Sequence, residues 1–248
     1  MRQERIVMGM PAIIEITDPS ADNDSFAAVW SELEEIDQRF STYKETSEIS
    51  RINREHAPES AYSPLMKEVF VLAEQTKIET GGYFDIRTPD DTLDPSGIVK
   101  GWALLRAAQQ ILNMGFKDCY IDIGGDIQTY GKNPAGAEWS IGIRNPFDRD
   151  EIVKVIYPHE MGVATSGTAV RGQHIYNPHD PHAPISGIVS LTVIGPDVYE
   201  ADRFATAAFA MGKGGIVFIE HLPGFEGYTI DPAGIATMTS GFNAYTTP

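Results

Sequence analysis

The sequence predicts an α+β fold, and three observations carry that expectation. Apolar residues recur every three or four positions in several separate stretches, the spacing of amphipathic helices. Other stretches alternate apolar and polar residues around glycines, as in "YIDIGGDIQTY", the pattern of antiparallel hairpins. The two kinds are mixed without regular strand–helix–strand alternation, which favours antiparallel sheets with packed helices over a parallel sheet. At 248 residues the chain is long enough for one large domain or two small ones.

In chain order, "RIVMGMPAIIEI" reads as a strand with a local irregularity at Met8-Gly9. Phe26, Val29, Trp30, Leu33, Ile36 and Phe40 then mark one face of a long helix. "STYKETSEISRIN" is polar and loop-like. Ser63 is placed to cap a second long helix, with Pro64 at its first position, where the missing N–H costs nothing. Leu65, Val69, Leu72, Ala73 and Thr76 continue its face, and Gly81-Gly82 ends it. A further helix carries Leu104, Leu105, Ala108, Ile111 and Leu112 and stops near Gly115. Cys119, Ile121 and Ile123 share one face of a strand before the Gly124-Gly125 turn. "WSIGIRNP", "EIVKVIYP", "GIVSLTVIG" and short runs after Gly224 read as further strands, and "YEADRFATAAFAMG" as one more helix.

Charge narrows the partners. Lys plus Arg number 19 against 35 for Asp plus Glu, a net −16 that repels nucleic acid and anionic membrane. A polyphosphate ligand would need local basic groups, helix N-termini or a bound cation. Cys119 is the sole cysteine, so no intrachain disulfide forms. The start of the chain has no apolar run of signal-peptide length, and nothing approaches the roughly 18 apolar residues of a membrane span. A soluble, cytoplasmic protein without a membrane span is expected.

Four stretches have the residue types that chemistry uses, and each also has a plainer reading. In "LDPSGIVKGW", Asp94 and Pro95 open a helix and Lys100 follows one turn on. The stretch is not the nucleoside-triphosphate loop G-x-x-x-x-G-K-[ST]. It serves either as an ordinary helix start with a solvated lysine, or as an anion site at the positive helix end. In "EADRFATAAFAMG", Asp202 and Thr206 are i and i+4 on one helical face, two hard oxygen donors suited to Mg²⁺, or an acid near a helix start beside an incidental threonine. "ATSGTAVRGQHIYNPHDPHAP" holds His174, His179, His182 and Asp180. Its prolines exclude a helical H-E-x-x-H zinc site but leave a loop site open. His179 and His182 read as solvated, and His174 as better placed for a base. In "IDIGGDIQ", the glycines make a tight turn or let backbone approach a flat ligand.

Taken in order, "VMGM", "FSTYKETSEISRIN", "GGYFDI", "DPSGIVKGWA", "YIDIGGDIQTYG", "WSIGIRNP", "ATSG", "HIYNP" and "SLTVIGPDVYEADRFATAAFAMG" closely resemble the ApbE family of FAD:protein FMN transferases, from about residue 6 to residue 215. The D-x-x-G-x-x-K-G and A-D-x-x-x-T elements are the most specific. The resemblance implies a single domain over 1–248 on a T-fold-like scaffold, with two subdomains flanking the FAD site. It implies Mg²⁺-dependent transfer of the FMN half of FAD to a Thr or Ser hydroxyl of an acceptor flavoprotein, with release of AMP. FAD hydrolysis and non-catalytic flavin carriage are the alternatives. Carried over by motif, Asp94 and Lys100 contact FAD, and the Gly97 carbonyl, Asp202 and Thr206 surround Mg²⁺. Met8, Tyr43, Tyr83, Phe84, Asp85 and Tyr176 line the FAD pocket, His174 deprotonates the acceptor hydroxyl, and Lys100 serves catalysis by offsetting the charge that builds up as the P–O–P bond breaks. The chain departs from the family pattern in a short "IRTPDDTL" before Asp94, in Asn177 where the family usually has Asp, and in Ala205 where some members carry an acid.

Overall fold

The computed structural model describes residues 1–148, 150–168 and 175–248. Strands β1 (Arg2–Val7) and β2 (Met10–Ile16) form a hairpin rather than one irregular strand. Met8 and Gly9 have φ of 53° and 72°, so both turn residues are left-handed, as a two-residue hairpin turn demands. Helices α1 (Asn23–Phe40), α2 (Glu48–Glu55), α3 (Pro64–Glu79) and α4 (Ser96–Asn113) follow. α2 lies in the stretch that reads as a loop. Ser47 caps it by accepting from Ser50 N at 3.1 Å, and only Ile49 and Ile52 are buried, too few to show a period. Ser63 and Pro64 start α3 as expected, with the Ser63 hydroxyl accepting from Met66 N.

β3 (Cys119–Ile123) and β4 (Asp126–Tyr130) form the hairpin foreseen around Gly124-Gly125. Gly124 has a left-handed φ of 63°, which favours glycine, and a Cβ there would also lie 2.6 Å from the Met10 sulfur of the adjoining hairpin. β5 (Ile141–Arg144), β6 (Ile152–Ile156), β7 (Gly162–Gly167), β8 (Ser190–Gly195), α5 (Val198–Ala210), α6 (Gly215–Glu220), β9 (Glu226–Ile230) and β10 (Ala236–Met238) complete the order. Among the described residues, eight strands make one antiparallel sheet, β1-β2-β3-β4-β7-β8-β9-β10, and β5 pairs only with β6.

The alternation along the strands decides what covers each face. Ala12, Ile14, Ile16, Cys119, Ile121 and Ile123 pack against the buried stripes of α1 and α4. The six buried α1 residues from Phe26 to Phe40 each contribute about 1.5–3 kcal/mol on leaving water. Leu191 and Val193 pack against Phe204, Ala208 and Phe209 of α5. The opposite face of β8 and β9 offers Ile194, Tyr228 and Ile230 to Ile141, Ile143 and Ile156 of the β5–β6 pair. Helices therefore lie on one face of the sheet and the β5–β6 pair on the other. The sheet itself is weakest at its centre, where β4 and β7 share a single residue pair, Ile127 with Val163.

Candidate functional site

At that weak centre the sheet gives way to side chains. The Thr165 N–H donates to Asp126 Oδ1 at 3.1 Å. Asp126, at the start of β4, is fully buried, and Lys100 Nζ stands 2.5 Å from its Oδ2. The same ammonium is 3.5 Å from Asp202 Oδ1. Asp202 is 3% exposed, and its Oδ2 accepts from the Gly101 N–H at 2.8 Å. Burial pushes the Asp202 carboxyl up, to about 7, against the opposing pull of Lys100, with Asp126 adding to the rise.

α4 and α5 pack closely because Gly101 has no side chain: a Cβ there would meet Asp202 Cβ at 2.7 Å and the Val198 carbonyl at 2.9 Å. In an α-helix the Gly101 N–H is aimed at the carbonyl of Gly97. Its bond to Asp202 competes with that partner. Gly97 itself lies against Phe84 and Thr206.

A cavity of about 720 Å³ opens beside this cluster, between the sheet, the β5–β6 pair and the segment that leads into α4. Tyr83, Phe84, Asp85, Asp94, Gly97, Lys100, Tyr176, Asp202 and Thr206 all line it, so nine of the sequence-designated residues meet at one place. Met8 and Tyr43 are not among its lining residues. Met8 packs at the edge of the first core, and Tyr43 is 96% exposed. His174 lies outside the described residues.

The wall is held by local bonds. Asp94 does not cap α4 in the usual way. Its Oδ1 accepts from the N–H of Ser96, the first residue of the helix, at 2.9 Å, and Pro95 takes the cap position. Asp85 pairs with Lys77 at 2.7 Å and accepts from Arg87 N. The Tyr176 hydroxyl donates to the Arg87 carbonyl at 3.3 Å. His179 is anchored rather than merely solvated: its ring meets Tyr83 edge-on at 4.6 Å and its Nε2 is 3.0 Å from the Gly81 carbonyl. Among the described residues no three His, Cys, Asp or Glu side chains gather to hold a metal, which leaves the loop histidines without a described metal cluster.

Two carboxylates that flank the Gly124-Gly125 turn, one on the cavity wall and one just behind it, escape the sequence reading. One is Asp126. The other, Asp122, lines the cavity and accepts from Gly125 N at 2.8 Å and from the Tyr120 hydroxyl at 3.2 Å. Burial raises its carboxyl while those donors hold it down. The signal available was an acid inside each otherwise half-apolar strand.

Oxygen donors fit a hard cation here. Asp202 supplies a buried carboxylate, Thr206 a hydroxyl and Gly97 a carbonyl whose helical donor is contested. Few protein ligands with room left for water and phosphate is the manner in which Mg²⁺ is bound. No described helix is long and apolar enough to cross a membrane.

A sequence model described as the ApbE family matches residues 8–90 and 87–229, with its break inside "IRTPDDTL". A Vibrio cholerae protein named FAD:protein FMN transferase is 25% identical over 239 residues, covering 73% of this chain and 71% of that protein. A Haemophilus influenzae protein of the same name is 29% identical over 135 residues, but only 39% of its length is matched. Among solved structures, the ApbE protein of Thermotoga maritima superposes with a TM-score of 0.88 at 21% identity, covering 100% of this chain and 99% of that one. The flavin transferase ApbE from Vibrio cholerae gives 0.86 at 24% identity, covering 99% and 98%. At those identities the structures establish the shared α+β fold.

Proposed function

The chain belongs to the ApbE family, and from that footing we propose that it moves the FMN half of FAD onto a Ser or Thr hydroxyl of an acceptor flavoprotein, releasing AMP. The observation that carries this reading is the corner of the cavity where Lys100, Asp202, Thr206 and Gly97 converge. A bond forms from the hydroxyl oxygen to the FMN phosphorus, the bond from that phosphorus to the bridging oxygen breaks, and the hydroxyl proton leaves.

Each residue has a stated task. Asp202, Thr206 and the Gly97 carbonyl would hold Mg²⁺, which when bound offsets the charge of the pyrophosphate. Lys100 adds a second positive charge in a protein whose net field repels the ligand. Tyr83, Phe84, Asp85, Asp94 and Tyr176 line the space for the rest of FAD. His174 is the assigned base, a role worth on the order of 10²–10⁴ in rate. The two separate helix-covered cores support an arrangement of two subdomains, with the FAD site between them. A cytoplasmic location belongs to the same reading.

The test is incubation with FAD, with and without Mg²⁺, beside a peptide that carries the acceptor threonine. AMP release with a peptide heavier by one FMN unit is the expected result. AMP with free FMN alone would make the protein an FAD pyrophosphatase instead. Intact FAD under all conditions would overturn both, and His174→Ala should abolish turnover while FAD still binds.

A further inference from the structure

Asp126 has no place in the reaction so far, yet three groups converge on it. The Thr165 N–H donates to one oxygen, the Lys100 ammonium lies 2.5 Å from the other, and the Asp202 carboxyl is within hydrogen-bonding reach. Unlike Lys100 and Asp202, Asp126 does not line the cavity. A ligand there meets it only through those neighbours.

A divalent cation held by Asp202 would share its surroundings with the Lys100 ammonium. The like charges repel, and in a poorly hydrated corner that repulsion is strong. Lys100 is already closer to Asp126 than to Asp202, by 2.5 Å against 3.5 Å. We infer that Asp126 is a positioning residue: its negative charge anchors the Lys100 ammonium, leaves Asp202 available to a metal ion, and lets the two cations work side by side. The inference rests on the reading of Asp202 as a metal ligand.

A purely structural Asp126 would serve only to accept the Thr165 N–H. Asp126→Asn separates the two roles, because an amide oxygen still accepts that bond while the charge is lost. The measurement is Mn²⁺ binding to the full-length protein without FAD, followed by electron paramagnetic resonance. Mn²⁺ reports on the Mg²⁺ site because both take oxygen ligands. Asp126→Asn is expected to weaken Mn²⁺ about 10- to 100-fold, the usual effect of losing an outer partner of a metal site. In a Lys100→Met background the same substitution should have an effect of no more than about twofold, since independent contributions would simply add.

Lys100→Met alone should bind Mn²⁺ more tightly than wild type, and it carries the test should Asp126→Asn fail to fold. Wild-type affinity in Asp126→Asn overturns the inference. So does an undiminished loss in the Lys100→Met background, or weaker Mn²⁺ binding by Lys100→Met alone. Wild-type protein that binds no Mn²⁺ overturns the metal reading, and this inference with it.

Discussion

The Gly101 N–H donates to Asp202 Oδ2 at 2.8 Å, so the second turn of α4 is bonded directly to a carboxylate of α5. The contact exists only because residue 101 has no Cβ. Gly101→Ala would drive a methyl group into Asp202 Cβ and the Val198 carbonyl, a backbone atom that yields little. Overpacking of this kind costs about 1–3 kcal/mol. Urea unfolding should show a lower midpoint with an unchanged slope. An unmoved midpoint would mean that the two helices separate freely.

Asp202 also makes the site pH-dependent. Its carboxyl is pushed up to about 7 from an ordinary 3.8, mainly by burial. Between those values the folded, metal-free protein holds a proton that the unfolded chain has released. The contribution of Asp202 to stability is therefore full below the ordinary value and is lost as pH rises to about 7. If Asp202 holds Mg²⁺ as proposed, the ion must displace that proton, and its apparent affinity should rise about tenfold per pH unit below 7 and level off above. Melting temperatures with and without Mg²⁺ across this range would show it. A Mg²⁺ increment that ignores pH would remove Asp202 from the ligand set.

Saturating Mg²⁺ should stabilise the wild type, by about 2.7 kcal/mol at a hundred times the dissociation constant. Asp202→Asn should lose that increment. Calorimetric melting of the two proteins decides the matter, and equal increments would place the metal elsewhere.

His179 ties its loop to the end of α3 through Tyr83 and the Gly81 carbonyl. Since Tyr83 and Tyr176 both line the cavity, His179→Ala should loosen that wall. The expected signature is a higher KM for FAD with kcat little changed, because the loss is in ground-state binding. A fall in kcat alone would point to a different role.

Cys119 is fully buried among the first core, and burial pushes its thiol up to about 12. Thiolate is the reactive form, so the native protein should resist alkylation. Labelling should appear only with global unfolding, which makes this side chain a reporter of stability. Rapid labelling of the folded protein would contradict the packing.

Most long elements were legible because each repeats its pattern often enough. α1 shows six apolar residues at helical spacing, and Ser63-Pro64 and Gly81-Gly82 mark both ends of α3. α2 was not legible, because two buried isoleucines in eight residues make no period. The first hairpin was hidden by Met8, which takes a left-handed conformation that usually signals glycine. At the site, nine of the residues singled out from motifs line one cavity. Asp126 was missed for a physical reason. Its importance comes from Lys100 and Asp202, which are distant in sequence, and no local pattern records such a meeting.

The single Ile127–Val163 pairing at the middle of the sheet gives the molecule a seam. Backbone amides there are held by a carboxylate, as Thr165 is by Asp126, where a continuous ladder would have held them. Ladder bonds are indifferent to sequence, whereas this junction is written in side chains. The architecture thus entrusts part of its cohesion to Asp126 and the groups it touches, just behind the cavity wall. A chain that mutates them for a new chemistry alters, in the same step, how firmly its two halves are joined.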